Sequence, residues 1–560
     1  MTDGFAPFSA DARAGHWAAL AAEEWDLLVV GGGITGAAAA RDAAGRGLSV
    51  ALVEAGDFAQ GTSSRSSRLI HGGLRYLETY DFALVFEASA ERRRLLELAP
   101  HLVHPLPFVF PVYRGGPTHF WMLQAGMWLY DGLSLFRNIH RHRILSVDDI
   151  ATEEPGLRRD GLSGAALYYD AAVDDARLTL ANARGAHQAG AAVVCHAEVT
   201  GFVLDGGKVR GARVRDRIGG AEAEVRAKVV LNATGPWSDA VRKLADPAAV
   251  PRLRTTKGVH VMVPRERVGN RHAITFQSPI DQRVMFVLPW GQHTYIGTTD
   301  TDFTGSPGDV RADEADVDYL LRSANSVFPE AKLGHADVVS TWAGIRPLLA
   351  PLRRPGANES ATSREHEIWW DASGLLSIAG GKLTTYRVMA EQVVDRAAAK
   401  LKSAHQVESG ISPTEHLPLP GTPEGDWKEF DQQLRAEALA VGLDDDAGYH
   451  LARAYGEDAR EVLAAVRADA AEGRRIAEGF PYVWAEVGHA VRHEMALTLD
   501  DLLIRRMHLF YEARDGGLSV ARAVAERMAR ERGIAWDAAG VERQVARYRA
   551  AVEATRGFGG

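Results

Sequence analysis

The stretch WDLLVVGGGITGAAAARDAAGRGLSVALVE, from Trp25 to Glu54, decides the fold of this chain. An apolar run typical of a buried strand leads through a glycine-rich turn into an alanine-rich helical segment, and a second apolar run then ends in an acid. A strand, a helix and a second strand in this order form a βαβ unit with parallel strands. The stretch therefore predicts an α/β domain built around a parallel sheet.

The turn carries the spacing G-x-G-x-x-G at Gly31, Gly33 and Gly36. The first glycine permits a tight turn, the second lets a pyrophosphate approach the backbone, and the third lets the helix pack on the strand. Glu54 ends the second strand, where a carboxylate can accept hydrogen bonds from ribose hydroxyls. We interpret the unit as a dinucleotide site; the alternative is a glycine turn that only packs.

Two further segments favour FAD over NAD. The stretch SSRSSRLIHGGLRYLE, residues 63–78, offers hydroxyls and a glycine pair that can line a second length of cofactor, although a solvated loop is the alternative. A third glycine pair, Gly380 and Gly381, ends a predicted strand and opens a helix. That helix start and Lys382 can stabilise negative charge on a reduced flavin.

The remainder of the chain divides into three predicted regions. Residues 1–24 form an N-terminal extension, and residues 25–410 contain the dinucleotide unit interleaved with two-periodic strands such as KGVHVMV and FVLPW. Residues 411–560 form the C-terminal domain, which contains a Pro- and Gly-rich linker, HLPLPGTPEGD, and is mostly helical from about Trp427 onward. The predicted fold class is thus mixed α/β, with an antiparallel substrate sheet and a helical C-terminal domain.

The composition narrows the possible function classes. The 560 residues carry a net charge of −9 and have no basic tail, so we expect no nucleic-acid partner. One cysteine, Cys195, excludes an intrachain disulfide and fits a reducing compartment. The N-terminus lacks a signal pattern, and the longest aromatic run is too short to span a bilayer. We expect a cytoplasmic protein that does not cross a membrane.

The motifs together resemble the FAD-dependent glycerol-3-phosphate dehydrogenases. The matching segments include VVGGGITGAAAARDAAGRGLSV, GTSSRSSRLIHGGLRYLE, VDDARLTLANA, LNATGPWSD, IGTTDTDF, GIRPLL and GGKLTTYR, in this order. The resemblance implies oxidation of sn-glycerol 3-phosphate to dihydroxyacetone phosphate by hydride transfer to FAD, with electrons passed to a membrane quinone. It also implies a location on the inner face of the cytoplasmic membrane, and it leaves a homodimer open.

The resemblance assigns site residues by motif. Cations and a tyrosine would surround the phosphorylated substrate together with His260, since guanidinium groups bind phosphate through paired donors; these residues are Arg75, Tyr76, Arg346, Arg364 and Lys382. The positions expected at the cofactor are Gly31, Gly33, Ile34, Thr35, Gly36, Glu54, Ala55, Thr62, Ser63, Ser64, Ser67, Leu69, His71, Gly72, Gly73, Val199, Gly235, Trp237, Gly381, Lys382, Leu383 and Thr384.

Catalysis needs a base for the substrate hydroxyl as well as cations. His71 and His260 are the two candidates, because imidazole titrates near neutral pH, and Arg346 and Lys382 complete the predicted catalytic set. Each histidine can instead be a structural residue, and each cation a surface charge.

Rival functions remain at this stage. They are an oxidase that reduces oxygen, a related amine or amino-acid oxidase, and a non-catalytic flavoprotein that binds a partner.

Two surface features complete the expectations. The aromatic run from Phe120 to Phe136 and the basic loop from Arg137 to Arg143 predict a peripheral membrane contact. No metal site is predicted, because His140 and His142 alternate with arginines.

Overall fold

The computed structural model describes residues 7–72, 82–116, 119–133, 140–350 and 365–556. The strands are β1 (Glu24–Val30), β2 (Val50–Val53), β3 (Leu69–Ile70), β4 (Val103–Tyr113), β5 (Arg143–Leu145), β6 (Leu162–Val173), β7 (Ala192–Val194), β8 (Ala197–Asp205), β9 (Lys208–Asp216), β10 (Glu222–Asn232), β11 (Leu253–Pro264), β12 (Ala273–Gln277), β13 (Val284–Trp290), β14 (His293–Gly297), β15 (Thr301–Asp302), β16 (Ser340–Leu349), β17 (His366–Trp370) and β18 (Leu376–Gly380).

The helices are α1 (Arg13–Ala22), α2 (Ile34–Gly45), α3 (Phe82–Leu98), α4 (Phe120–Leu133), α5 (Val147–Glu153), α6 (Asp175–Gln188), α7 (Ser238–Ala245), α8 (Arg265–Val268), α9 (Glu314–Val327), α10 (Tyr386–His405), α11 (Trp427–Ala440), α12 (Asp445–Tyr455), α13 (Ala459–Ala468), α14 (Ala485–His493), α15 (Leu509–Glu512), α16 (Leu518–Met528) and α17 (Ala538–Arg556).

The first sheet confirms the βαβ prediction. Its strand order is β17-β18-β10-β1-β2-β7, and β1 is parallel to both β2 and β10. Leu27 to Val30 are buried, as expected for a strand covered on both faces. A hairpin that turns at Gly206 and Gly207 is formed by β8 and β9, which join this sheet through β10.

Helix α2 packs against both α6 and α10, and all three helices pack against strands of the first sheet. Alanines from Ala37 to Ala44 lie on α2 and are buried, because small side chains let the helix approach its neighbours closely. The helix α1 of the N-terminal extension also packs on this sheet. Arg13 forms a bidentate ion pair with Asp216 and donates to the carbonyl oxygens of Cys195 and His196.

The second sheet is mostly antiparallel, as the two-periodic segments predict. Its order is β15-β11-β14-β13-β12-β4-β6-β3, with β16 paired to β11 and β5 to β6. One pair, β4 with β12, is parallel. A parallel pair requires a crossover between strands that are distant in sequence, and periodicity within one strand carries no information about it.

The C-terminal part is helical, and the sheet-like contact described there is an isolated bridge between Arg475 and Val483. A π-helical segment, Asp501–Arg506, supplies Arg506, which forms two buried hydrogen bonds of 2.7 and 2.9 Å with Asp57. This pair joins the helical part to the loop that follows β2. Among the described helices, none has the length and apolar character needed to cross a bilayer.

Candidate active site

The glycine turn after β1 is too tight for side chains. Gly31 has a φ of +108°, and a Cβ there would lie 2.7 Å from the carbonyl oxygen of Ala233. A Cβ on Gly36 would lie 1.9 Å from the carbonyl oxygen of Gly31. Gly33 is the N-cap of α2, with an extended backbone. The turn therefore presents bare backbone and the positive end of a helix, which fits a diphosphate.

Glu54 lies beside this turn. Its Oε2 accepts a hydrogen bond from the Gly32 amide at 2.6 Å, and its Oε1 accepts one from the Gly56 amide at 2.8 Å. Burial raises the pKa of Glu54, and the two amide hydrogen bonds oppose that shift. Each carboxylate oxygen keeps a second lone pair that can accept from a ribose hydroxyl. The residues present at both positions fit the adenosine diphosphate half of FAD.

The serine-rich segment links the two sheets. Ser63 Oγ accepts a hydrogen bond from the amide of Ile34, at the start of α2, at 2.9 Å. Thr62 donates to the carbonyl oxygen of Ile345 on β16 at 2.7 Å. Ser64 is buried, and the chain then enters β3 at Leu69. The segment thus runs from the dinucleotide turn to the substrate sheet, as a second length of cofactor would require.

The third glycine pair meets the same segment. Gly380 and Gly381 have φ values of +82° and +86°, and a Cβ on Gly381 would lie 2.4 Å from the sulfur of Met389. Lys382 follows as the N-cap of a short helical turn, Leu383–Thr385. Thr384 exchanges hydrogen bonds with the backbone of His71, at 3.2 and 3.3 Å. Two motifs more than 300 positions apart therefore lie in contact.

His260 occupies a buried aromatic pocket. Its Nε2 lies 2.9 Å from Ser67 Oγ, and its ring stacks on Trp342 with centroids 4.9 Å apart. The imidazole lies directly over Gly297, where a Cβ would come within 2.0 Å of it. Burial, assisted by the charges of Arg346 and Arg68, lowers the pKa of His260 to about 3. The neutral imidazole is therefore favoured, and it can accept a proton.

Arg346 lies beside this histidine. Its guanidinium covers Gly258, where a Cβ would be 2.6 Å from Nη2, and Gly258 and His260 share one face of β11. Nη1 donates to Asp300 Oδ1 at 3.0 Å, and Nη2 donates to Thr298 Oγ1 at 3.1 Å. The side chain is 33% exposed, so a ligand can reach it.

The remaining predicted positions differ in how far the structure describes them. Gly73, Arg75, Tyr76 and Arg364 lie outside the described residues. Gly72 donates its amide to Asp170 at 2.9 Å. Trp237 covers Gly61, where a Cβ would lie 2.9 Å from its ring. Thr35, Ala55 and Val199 are half-buried, and Gly235 has a φ of +53°.

Sequence reasoning missed several partners of these residues. Arg68 lies 3.8 Å from the ring centroid of Trp290 and forms an ion pair with Asp175 at 3.5 Å. Asp175 also accepts hydrogen bonds from the amide and hydroxyl of Ser66. Part of the SSRSSR stretch therefore supports the fold. The two adjacent acids of VDDARL, Asp174 and Asp175, could have indicated such a cationic partner, because a buried carboxylate requires one.

Both the N-terminal and the C-terminal part of the chain match families of known proteins. Residues 26–387 match the family model for FAD dependent oxidoreductases, and residues 412–540 match the model for the C-terminal domain of alpha-glycerophosphate oxidase. The structure is similar to that of glycerol-3-phosphate dehydrogenase from Bacillus halodurans complexed with FAD. That likeness has a TM-score of 0.82 and 31% identity, and it covers 99% of each chain.

Curated relatives are similar along most of their length. Glycerol-3-phosphate dehydrogenase 2 of Mycobacterium tuberculosis (strain ATCC 25618 / H37Rv) is 43% identical over 97% of this chain and 90% of its own. Aerobic glycerol-3-phosphate dehydrogenase of Staphylococcus haemolyticus is 38% identical over 87% of each chain. The glycine turn, the Glu54 carboxylate and the GGKLTT turn fit the cofactor that these matches imply. The chain belongs to the family of FAD-dependent glycerol-3-phosphate dehydrogenases.

Proposed function

We propose that this protein oxidises sn-glycerol 3-phosphate to dihydroxyacetone phosphate and delivers the electrons to a membrane quinone. The observation that carries the proposal is the placement of a neutral imidazole, His260, beside a partly exposed guanidinium, Arg346, at the end of the cofactor-binding segment. A base and a phosphate-binding cation are the two groups that this substrate requires besides the cofactor.

Residues of the glycine turn, the serine segment and the GGKLTT turn would hold FAD, which supplies the acceptor for the hydride that leaves C2 of the substrate. Lys382 adds positive charge at the GGKLTT turn. His71 contacts this turn through Thr384 and remains the alternative base. The chain's own contribution is to orient the C–H bond, remove the hydroxyl proton and fix the phosphate.

Arg346 would hold the phosphate. A guanidinium carries five N–H donors, so it can bind a phosphate oxygen while still donating to Asp300 and Thr298. Its fork matches phosphate geometry, which a single ammonium does not. Asp300 orients the guanidinium before substrate arrives. Arg364, outside the described residues, is the second proposed phosphate ligand.

His260 would take the hydroxyl proton at Nε2, the nitrogen that faces Ser67. In the substrate-free protein, burial and then Arg346 lower the pKa of His260, which keeps the ring neutral. A bound phosphate would offset the charge of Arg346. Substrate binding should therefore raise the pKa of His260 and strengthen it as a base at the moment it is needed.

A peripheral membrane location is supported by the surface of α3 and α4. Trp121 is 68% exposed and Trp128 is 60% exposed, and Met122 and Leu129 are exposed on the same helix. Phe86 on the neighbouring α3 is exposed as well. Exposed aromatic and aliphatic side chains grouped on adjacent helices are typical of proteins that enter the headgroup layer of a bilayer. Such a contact would bring the enzyme to its lipid-dissolved acceptor.

Anaerobic mixing of the purified holoprotein with glycerol 3-phosphate tests the proposed oxidation. We expect bleaching of the oxidised flavin spectrum and formation of dihydroxyacetone phosphate, with much weaker bleaching by glycerol. An unchanged spectrum at saturating glycerol 3-phosphate would contradict the proposal.

The acceptor requires a separate measurement, because the C-terminal match is to a domain of an oxidase. We expect reoxidation by a soluble quinone analogue to be much faster than reoxidation by dissolved oxygen. Rapid oxygen consumption with peroxide formation would instead make the protein an oxidase.

A further inference from the structure

Two helices of the C-terminal part bring two histidines and a glutamate together. Glu461 lies on α13, and His489 and His493 lie one turn apart on α14. Glu461 Oε2 lies 3.5 Å from His489 Nδ1 and 3.2 Å from His493 Nδ1. The imidazole rings stack with centroids 4.9 Å apart and planes inclined by 21°. We propose that these three residues bind a divalent transition-metal ion, with Zn²⁺ as the preferred ion.

The spacing of the ligand atoms fits such an ion. Bonds of about 2.0–2.1 Å from zinc to nitrogen or oxygen place tetrahedral ligands roughly 3.3–3.5 Å from one another. The distance from Glu461 Oε2 to His489 Nδ1, 3.5 Å, lies within this range, the distance to His493 Nδ1, 3.2 Å, is slightly shorter, and the three ligand atoms lie within 4.8 Å of one another. Glu461 and His493 have room to adjust to the ion, because their side chains are 52% and 35% exposed. Three protein ligands leave a fourth position for water.

The site is buried at one end and open at the other. The His489 side chain is only 3% exposed, whereas Glu461 is 52% exposed and leaves the site accessible from solvent. Two arginines whose charges act on His489 are compensated, since Arg184 pairs with Asp458 and Arg177 pairs with Glu494.

One feature limits the affinity of this site for zinc. His489 Nε2 is buried and has no hydrogen-bond partner among the described residues; the ring packs edge-on against Tyr455. Zinc-bound histidines usually donate their second N–H to an acceptor, and loss of such a partner weakens binding about 10- to 100-fold. The site should therefore bind zinc more weakly than a structural zinc centre does, and it should exchange its metal with the medium.

The site is placed to stabilise the helical part. A metal would cross-link α13 to α14, and α14 leads directly to Glu494, which pairs with Arg177 on α6. Anything that binds the folded state and not the unfolded state raises the apparent stability as its concentration increases. Zinc should therefore raise the Tm of the holoprotein in a concentration-dependent way.

Zinc binding to the chelator-treated, FAD-loaded protein tests the proposal. Equilibrium dialysis with metal analysis should give one bound Zn²⁺ per chain, in exchange with the medium, and Co²⁺ should produce the visible absorption of a tetrahedral site at wavelengths beyond the flavin bands. His493→Ala and Glu461→Gln change exposed or half-buried side chains and should preserve the fold. Each should weaken zinc binding by at least about tenfold, because each removes a ligand and not merely its outer partner.

His335→Ala is the matched control, since His335 also pairs with a carboxylate, Asp318, but belongs to no such cluster among the residues that the structure describes. This variant should bind zinc as the parent does. Equal zinc affinity in the parent, His493→Ala and Glu461→Gln would overturn the proposal, as would the absence of a zinc-dependent rise in Tm.

Discussion

Ser67 Oγ and His260 Nε2 lie 2.9 Å apart, although 193 positions separate the two residues in the sequence. Ser67 belongs to the serine-rich segment that follows the dinucleotide turn, and His260 lies on β11 of the substrate sheet. The contact therefore joins the cofactor side of the site to the substrate side. It also fixes which ring nitrogen of His260 faces the cofactor-binding segment.

The first prediction assigns the base. His260→Gln should lower kcat by about 10²- to 10⁴-fold, the usual contribution of a general base, with normal flavin content. Because the pKa of His260 is lowered to about 3, the free enzyme should keep this residue unprotonated well below pH 6.5. The acid limb of kcat/KM should accordingly lie below that pH. A large loss in His71→Gln, with near-normal activity in His260→Gln, would transfer the role to His71.

The second prediction concerns phosphate recognition by Arg346. A hydrogen bond to a charged group contributes about 1.5–3 kcal/mol, so Arg346→Ala should lower kcat/KM for glycerol 3-phosphate roughly ten- to a hundredfold. The loss with glycerol should be much smaller. Arg346→Lys should recover only part of the activity, because an ammonium lacks the paired donors.

Arg283→Ala is the control for this series, since Arg283 also contacts Asp300, at 3.1 Å, but has no predicted substrate role. It should retain most activity. Equal proportional losses with glycerol 3-phosphate and glycerol in the Arg346 variants would assign Arg346 to the fold or the flavin instead.

The third prediction tests the dinucleotide turn. Gly36→Ala places a Cβ 1.9 Å from the carbonyl oxygen of Gly31, so either α2 or the turn must move. We expect most of the bound FAD to be lost, measured as the ratio of flavin to protein absorbance. Gly15→Ala on α1, where a Cβ meets no atom within 4 Å, should keep full flavin content. Full flavin content in Gly36→Ala would contradict the packing argument.

The fourth prediction concerns the exposed aromatic surface of α4. Replacing Trp121 and Trp128 together by serine should reduce sedimentation with anionic liposomes several-fold, because both indoles are largely exposed and available for insertion. Activity with a soluble acceptor should be unchanged. Trp370→Ser, an exposed tryptophan on β17, is the control. Undiminished binding by the double variant would place the membrane contact elsewhere.

The features that could be predicted from the sequence are those set by residues close to one another along the chain. Gly31, Gly36 and Glu54 lie in one βαβ unit, and the geometry of that unit is set by residues close in sequence. The stacking of His260 on Trp342 and the pairing of Arg346 with Asp300 depend on strand order within the second sheet, which periodicity does not determine. The sequence motifs therefore predicted the βαβ unit better than the partners of the candidate catalytic residues.

The buried ion pairs could not be predicted from the sequence, for a related reason. Asp57 and Arg506 are more than 400 positions apart, and neither stands in a motif that requires a partner. The boundary between residues 410 and 411 remains a prediction. The structure adds that Arg41 on α2 donates a hydrogen bond to the carbonyl oxygen of Pro418 at 3.0 Å, so the predicted linker is attached to the flavin domain.

The last prediction concerns the attachment of the N-terminal extension through Arg13 and Asp216. Burial would raise the pKa of Asp216, but hydrogen bonds from Arg13 outweigh it and leave the pKa below its usual value. The folded state thus binds this proton less readily than the unfolded state. The pair therefore stabilises the protein fully above about pH 4, the unfolded pKa of aspartate, and progressively less as pH falls below it.

Asp216→Asn should lower the Tm by a few degrees at pH 7, consistent with loss of about 1.5–3 kcal/mol from a charge-assisted hydrogen bond. The Tm difference from the parent should stay constant between pH 7 and 5 and narrow below about pH 4, because protonation then removes the same charge from the parent. Glu222→Gln is the matched control. Glu222 on β10 pairs with Arg215 on β9, the strand that also carries Asp216, but both side chains are exposed. Its Tm should follow that of the parent, because exposed pairs contribute little. A Tm difference for Asp216→Asn that persists unchanged below pH 4 would show that the aspartate acts through packing and not through its charge.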